Sequence, residues 1–514
     1  MDMQISQDTQ VDDFLLNSLP NCSEMLALTL PNKDMLYYPP TSGQPSYLKV
    51  FDFSSQKGLN EDDEFISVDS KGASSTQPKA KGKQIKKPQN TQYTQNQKQK
   101  NQPQNKNTTY IQQPKFKISQ TITPESSWKI IADFNKLTLE KLRIDSDIEI
   151  TVEDKGIFGT MYPLMEDIEQ KVNAYNPIQL NTYNNMKFYG NISTLDDKRL
   201  RDAEFANVYV TDKILSVIMT CVYNSHPWHL KIRKVGENIY IDKMDNSEID
   251  LITVNESDNT PSDEDDRNIN GYKSLAIEAT LINEFIKEQM IDLDGQCLKA
   301  TGVNPVGDEE KQQEEQIEHL GYKYRLWTVD DINVLVRCQV HSFIPNDNED
   351  DDESENEEKE NKEDDEEIPN VEWVNIYALN EYDTNSYLSK ESNALPLLLK
   401  KELQTNHLKL TKWGVNCYLG GVNKMKVGFV TRKNLKENNA HIISGFYDLN
   451  ADDLLKITNF NKEIAWGIFK EIIEIIRRHK NDGAFIVMKT LGATGAKNML
   501  KMYKLPDEAL KIDA

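Results

Sequence analysis

From Lys71 to Lys117 the chain carries eleven lysines and no acidic residue, diluted by Gln, Asn, Thr and Pro. A stretch this long and this polar cannot bury enough apolar surface to offset the entropy of ordering it, so it reads as a disordered, low-complexity linker. Everything that packs must lie on either side. The expected organisation is a docking tail over 1–60, a lysine- and glutamine-rich linker over 61–125 and a folded domain over 126–510. A second run, Asp347 to Glu367, holds fifteen acids against two lysines. Such a run repels itself and stays solvated. Because it falls between two strand-like segments, 346–368 is expected to be a disordered insertion within the domain. The run supplies -13 of the net charge of -23 and leaves -10 for all other residues. A moderately acidic body is a poor general nucleic-acid binder, because phosphate affinity comes from clustered Lys and Arg. Any RNA contact must be local.

The five cysteines, Cys22, Cys221, Cys297, Cys338 and Cys417, are scattered and form no C-x-x-C pair. That argues against a disulfide framework or a zinc ribbon and for a reducing compartment. The N-terminus shows no secretory signal, and no apolar stretch approaches the length of a membrane span. A soluble, cytoplasmic protein without membrane contact is expected. In the tail, Tyr37, Tyr38, Tyr47, Phe51 and Phe53 lie along a segment punctuated by Pro39, Pro40, Gly43 and Pro45. An extended, aromatic segment of this kind suits docking onto another protein's surface.

From Trp128 onward the pattern alternates between strands and helices, an α/β (α+β) chain. Thr211 or Asp212 can cap a helix over KILSVIMTCVY. HLKIRKV, a GEN loop and IYIDK form a hairpin. DLITV reads as the next strand, followed by a long helix, SLAIEATLINEFIKEQMI. RLWTVDDINVLVRCQVHSF gives one or two strands and VEWVNIYAL another. LPLLLKKELQ is helical, with Pro396 in its first turn. KLTKWGVNCYLGG and KMKVGFVTR read as consecutive strands joined through GGVN. EIAWGIFKEIIEIIRRHK is an amphipathic helix with cations in its last turn, AFIVMK closes a sheet, and MLKMYKLP gives a last strand.

Chemistry is sparse. No G-x-S-x-G, P-loop or H-E-x-x-H is present, and GATGAKN (492–498) reads as a turn rather than a phosphate loop. His226 and His229 lack a third ligand at a usual spacing, so no metal and no cofactor is expected. A metal-dependent hydrolase needs carboxylates converging from neighbouring strands. The strands around Arg337, Cys338 and Gln339, and around Asn375 and Tyr377, offer none facing inward. Basic strand residues, tryptophans and an acidic loop remain. Together they could hold a methylated, positively charged guanine by cation–π stacking and a carboxylate at the base edge.

The order TDKILSVIMTC, RKVGENIYIDKMDNSEIDLITVNES, LAIEATLIN, YKYRLWTVDDINVLVRC, WVNIYALNEYD, KLTKWGVNCYLGG, KVGFVTR, NFNKEIAWGIFKEII and YKLPD resembles the d subunits of eukaryotic translation initiation factor 3. The resemblance runs from about Trp128 to Pro506. It implies twisted mixed β-sheets packed together and flanked by helices, as in metal-dependent decapping enzymes, behind a long disordered N-terminal tail. It implies a non-enzymatic subunit that binds the 5′ cap of selected mRNA within the preinitiation complex. The tail would engage the other subunits, notably e and c, and the domain would dock on the small ribosomal subunit. Asn375 stands where the decapping architecture has a metal-binding acid, and Tyr377 where it has a lysine. Asp212, Thr280 and Asn283 match residues placed against the cap, with Trp228, Lys231 and Arg233 assigned to cap and RNA contact. Glu284 replaces a frequent His, and Ser225 and His226 replace the usual pair before Trp228. The loop over 251–271, with Asp258, Asp263, Glu264, Asp265 and Asp266, matches a gate across the RNA path; its acids repel phosphate. A purely architectural subunit with a decayed cap pocket and a residual metal-dependent decapping nuclease are the alternatives.

Overall fold

The computed structural model describes residues 122–506 together with Val50–Phe51, except for 166–171, 174, 184–187, 190–192, 224–226, 245–246, 255–267, 300–318, 320, 347–368, 383–393 and 491–498. Val50–Phe51 pairs antiparallel with Phe188–Tyr189. The expected linker up to residue 121, the acidic insertion from residue 347, GATGAKN and almost all of the tail lie outside the described residues. The last residues of the expected linker, 122–125, are described, and Ile122 packs against Ile486, Met488 and Tyr503.

A ten-stranded mixed sheet dominates the domain. Its strands are β1 (Lys129–Phe134), β2 (Ile150–Met161), β3 (Val208–Thr211), β4 (Trp228–Val235), β5 (Asn238–Lys243), β6 (Gly321–Val329), β7 (Ile332–Val340), β12 (Gly483–Lys489) and β13 (Leu500–Lys504), with Leu298–Lys299 at one edge. In space the order is β1-β13-β12-β4-β5-β3-β7-β6-β2, ending at Leu298–Lys299. β3 runs parallel to both of its neighbours, β5 and β7. The second sheet has five strands: β8 (Ser342–Pro345), β9 (Val371–Glu381), β10 (Lys424–Arg432), β11 (His441–Asn450) and the short Ile178–Gln179. β9 and β10 are parallel.

The helices fill the space between and around the sheets: α1 (Asp212–Met219), α2 (Tyr272–Gln289), α3 (Ala394–Thr405), α4 (His407–Gly420), α5 (Ala451–Ile457) and α6 (Lys462–Arg477). The largest core joins α1 and α6 to the inner face of the large sheet, with Ile214, Ile218, Trp466 and Phe469 packed on Leu230, Ile232, Val334 and Val487. α2 covers one face of the small sheet, through Ile282, Ile286 and Phe285 against Val374, Ile376 and Val430.

Two expectations fail. KLTKWGVNCYLGG is not a strand but helix α4, closed by Gly421 at φ +63, where an added Cβ would strike the Arg325 guanidinium. Val415 and Leu419 of α4 belong to the large core, whereas Leu410, Trp413 and Cys417 belong to the core of the small sheet. A helix apolar on opposite sides has no single stripe, and its sequence pattern mimics strand alternation. DLITV is not a strand either: Glu248–Asp250 forms one 3₁₀ turn and the chain then runs irregularly to Val254. Ile252 N donates to Thr280 Oγ1 at 2.9 Å, and Asp250 pairs with Lys243, so the segment is held by side chains instead of a ladder.

Candidate functional site

The pocket that gathers the expected residues opens where the two sheets meet. It is a cavity of about 110 Å³ lined from α1, the irregular 249–253 segment, α2, β7, β9 and α4. Its position follows from a strand that outruns its partner. β8 pairs with β9 only over Val371–Val374, so the β9 edge beyond is uncovered. Two side chains take the place of the missing strand. Asn283 accepts from Ala378 N at 2.8 Å and donates to Ala378 O at 3.0 Å, and it also donates to Ala279 O. His341 Nδ1 lies 2.8 Å from the Ile376 nitrogen and 2.9 Å from its oxygen, serving one or the other according to tautomer. Burial, with Lys287 and Lys213 nearby, holds the His341 imidazole well below its usual pKa, so the ring is neutral.

Asp212 is the first residue of α1 and is buried at the pocket wall. Thr211 occupies the cap position but makes no side-chain cap bond. Asp212 Oδ1 accepts from Lys213 N at 2.7 Å and Oδ2 from Gln339 N at 3.1 Å. Burial pushes its carboxyl up to about 6, against the opposing pull of Lys213, these two N–H groups and Arg337. Thr280 spends its hydroxyl on Ala276 O and Ile252 N, so it fixes the wall behind the pocket lining.

The floor is a row of stacked groups. The Tyr377 ring stacks on Trp413 with centroids 4.4 Å apart and planes at 14°. His341 meets Tyr377 edge-on, and Lys409 Nζ sits 5.6 Å from the Trp413 centroid. Asn375 holds this row in place: it accepts from His341 N at 3.2 Å and its Nδ2 lies 3.5 Å from Cys417 Sγ. Four lysines line the cavity, Lys213, Lys287, Lys409 and Lys412, against the three acids Asp212, Asp250 and Glu284. Glu284 is paired with Lys287 and Asp250 with Lys243, so the wall is locally cationic although the chain is acidic. Among the described residues no group of three His, Cys, Asp or Glu is placed to hold a metal ion.

The structure therefore brings Asp212 and Asn283 together at one cavity, with Thr280 one turn away. Trp228, Lys231 and Arg233 lie on β4 and do not line it. Trp228 is buried in the large core and lies opposite Lys489, while Lys231 and Arg233 are partly exposed on the large sheet. Ser225, His226, Asp258, Asp263, Glu264, Asp265 and Asp266 lie outside the described residues, as do Tyr37, Tyr38, Tyr47 and Phe53. Phe51 falls in the short strand Val50–Phe51. Reasoning from sequence misses Lys287, His341, Lys409, Lys412 and Trp413. Lys287 was within reach: Thr280, Asn283, Glu284 and Lys287 fall at i, i+3, i+4 and i+7 on one helix face. Lys409, Lys412 and Trp413 are hidden by the strand-like pattern of α4.

These elements define a mixed α/β protein of two packed sheets, with a lysine-rich, aromatic-floored pocket at their junction. The family model described as eukaryotic translation initiation factor 3 subunit 7 matches residues 43–504, and the chain belongs to that family. The D subunit of eukaryotic translation initiation factor 3 from Aedes aegypti is 29% identical over 416 residues, covering 78% of this chain and 61% of that protein. Its counterpart from Danio rerio is 27% identical over 330 residues, covering 64% and 56%. The matched region thus spans roughly three fifths of these relatives' length. Among solved structures, Scheffersomyces stipitis Rai1 in complex with 3'-NADP+ and calcium aligns at a TM-score of 0.44 with 10% identity, covering 76% of this chain and 95% of that one. K. lactis Dxo1 in complex with manganese aligns at 0.32 with 9% identity, covering 76% and 97%. At these scores the likeness carries no argument about chemistry. Among the described residues no helix is long and apolar enough to cross a membrane.

Proposed function

We propose that the chain is a non-catalytic subunit of eukaryotic translation initiation factor 3 that acts in translation initiation and holds the 5′ cap of messenger RNA in the pocket between α1, α2, β9 and α4. The observation that carries the reading is the family match over residues 43–504. The pocket supports it: clustered lysines suit the phosphates of the cap, and a Trp–Tyr stack suits a cationic base. The small ribosomal subunit and the other subunits, notably e and c, are the partners this reading implies, in the cytoplasm, with the aromatic tail over 1–60 making the subunit contacts.

The test is crosslinking of the full chain to capped and uncapped RNA of one sequence, competed with free cap analogue. Preferential labelling of capped RNA that the analogue removes is expected. Equal labelling, unmoved by the analogue, would leave an architectural subunit with a decayed pocket. One observation favours that second reading: Thr280, Asn283 and Asp212 already spend their polar atoms on the protein's own backbone. The residual decapping reading is disfavoured by Asn375, which carries an amide at the expected acid position and uses it to hold His341 and Cys417.

A further inference from the structure

Lys409 occupies a place built for a cation. Its Nζ lies 2.8 Å from Glu402 Oε2 and 5.6 Å from the Trp413 ring centroid, with only 4% of the side chain exposed. Asn406 Nδ2 donates to the same Glu402 oxygen at 2.7 Å and fixes the carboxylate. Trp413 is held in turn by its stack on Tyr377. An indole face and an oriented carboxylate around one positive charge are what recognition of a cationic, N7-methylated guanine requires. The cavity, about 110 Å³ as it stands, is smaller than the roughly 300 Å³ at which small-molecule sites begin. Some lining group must move before a base can enter.

We propose that Lys409 is an internal competitor: the positively charged base of an N7-methylated cap takes the Trp413–Glu402 site by displacing the Lys409 ammonium toward solvent. This rests on the reading of the pocket as a cap site. It makes the pocket selective by charge. A methylated base replaces one cation by another, and Glu402 keeps a partner throughout. An unmethylated, neutral base would strand the carboxylate, a largely buried charge without its pair, and is rejected.

The test compares m7GpppG with GpppG on the full chain. Lys409→Met removes the competitor, and the affinity for m7GpppG should rise about tenfold, equivalent to about 1.4 kcal/mol, with GpppG changed less than about twofold. In Glu402→Gln/Lys409→Met the carboxylate is also gone, and the gain for m7GpppG should disappear. The wild-type chain gives an independent readout: amine-reactive labelling of Lys409, followed by mass spectrometry, should rise several-fold with m7GpppG and not with GpppG. If K409M gains equally for both dinucleotides, Lys409 only takes up room; if it loses both, Lys409 is a phosphate ligand. Either result overturns the proposal, as does unchanged or reduced labelling of Lys409 on binding. Binding of neither dinucleotide by any variant would remove the cap reading itself, and this inference with it.

Discussion

Replacing Asn283 by Ala tests whether this residue is first a structural clamp. Its amide makes three hydrogen bonds, to Ala378 N, Ala378 O and Ala279 O, at 2.8, 3.0 and 2.8 Å. The Ala279 carbonyl lies within α2 and can keep its helical partner. The two Ala378 groups sit on a strand edge that β8 does not reach, and each becomes a buried orphan. A stranded buried donor or acceptor costs roughly 1–3 kcal/mol. Two of them come to about 4 kcal/mol, and entry of water from the adjoining cavity brings this to about 3 kcal/mol. That is a large share of a net stability of about 5–15 kcal/mol. Asn283→Ala should therefore lower the urea midpoint, and hydrogen exchange should quicken in peptides covering Val371–Glu381 while those covering Gly483–Lys489 stay protected. A variant within about 0.5 kcal/mol of wild type, with exchange at β9 unaltered, would refute the clamp. The result also governs how binding data are read. A loss of cap binding in this variant means direct contact only if β9 stays protected.

Asp212→Asn should change how stability varies with pH. A carboxyl raised from 3.8 to about 6 binds a proton more readily folded than unfolded, so its contribution is present at low pH and lost as pH rises through about 6. Between pH 4.5 and 7.5 the gap between variant and wild type should shift by about 2 kcal/mol in favour of the variant, read from paired urea titrations. A constant gap would place the carboxyl at its ordinary pKa. Glu278 should behave in the opposite sense. Burial raises its carboxyl, but the hydrogen bonds and charges of Arg432 and His441 outweigh this and leave it below 4.5. Its contribution is thus present above the usual carboxylate range and lost as pH falls through the lowered value. Glu278→Ala should cost roughly 3–5 kcal/mol at neutral pH by stranding Arg432, and Glu278→Met/Arg432→Met should cost less, measured by thermal melting. Equal losses in the two would count against a stranded charge as the cause.

Which parts are legible in the sequence follows from which elements have one environment. α6 has one buried and one solvated face, and its sequence announces it, with Asn461 capping Ile464 N and Arg477 in the last turn. β6 and β7 pair as a hairpin around Asp330 at φ +58, where the DD of RLWTVDDINVLVRC stands. α4 has two environments, one sheet on each side, and its apolar residues at 408, 410, 413, 415, 417 and 419 read as alternation. The GG at 420–421 suggests a link between two strands; it is the end of a helix and supplies the left-handed cap. The strand expected at Leu251–Val254 fails for a different reason. Apolar, β-branched residues describe burial, and here burial is achieved by a segment tied to Thr280 and not by strand pairing. The site inherits both errors, since α4 and 249–253 supply much of its wall.

The same geometry shows why this pocket and the fold resist separation. An exposed strand edge must be paired, covered or charged, and here β9 is covered by single side chains from two other elements. Asn283 reaches it from α2 and His341 from the end of β7, so the cavity lies between groups that are also its struts. A strut can be a ligand contact only through atoms it does not spend on the backbone. Asn283 spends both amide protons and accepts from Ala378 N through Oδ1, and the two Asp212 oxygens each accept a backbone N–H. Lys287 and Lys409 are held by the carboxylates of Glu284 and Glu402, pairings that a ligand could exchange for its own, and Lys213 and Lys412 also line the cavity. Discrimination between ligands should therefore reside in these residues, and substitutions at Asn283 or His341 should register first as stability. Lys412→Ala, which removes a cation from the cavity wall, should weaken binding of capped RNA and flatten its salt dependence while leaving the melting temperature within about 2 °C. Lys287→Ala should weaken binding too, but with a lower melting temperature, because it leaves the largely buried Glu284 carboxylate without that pair. A fall in melting temperature for Lys412→Ala as large as that of Asn283→Ala would mean that this lysine, too, belongs to the frame.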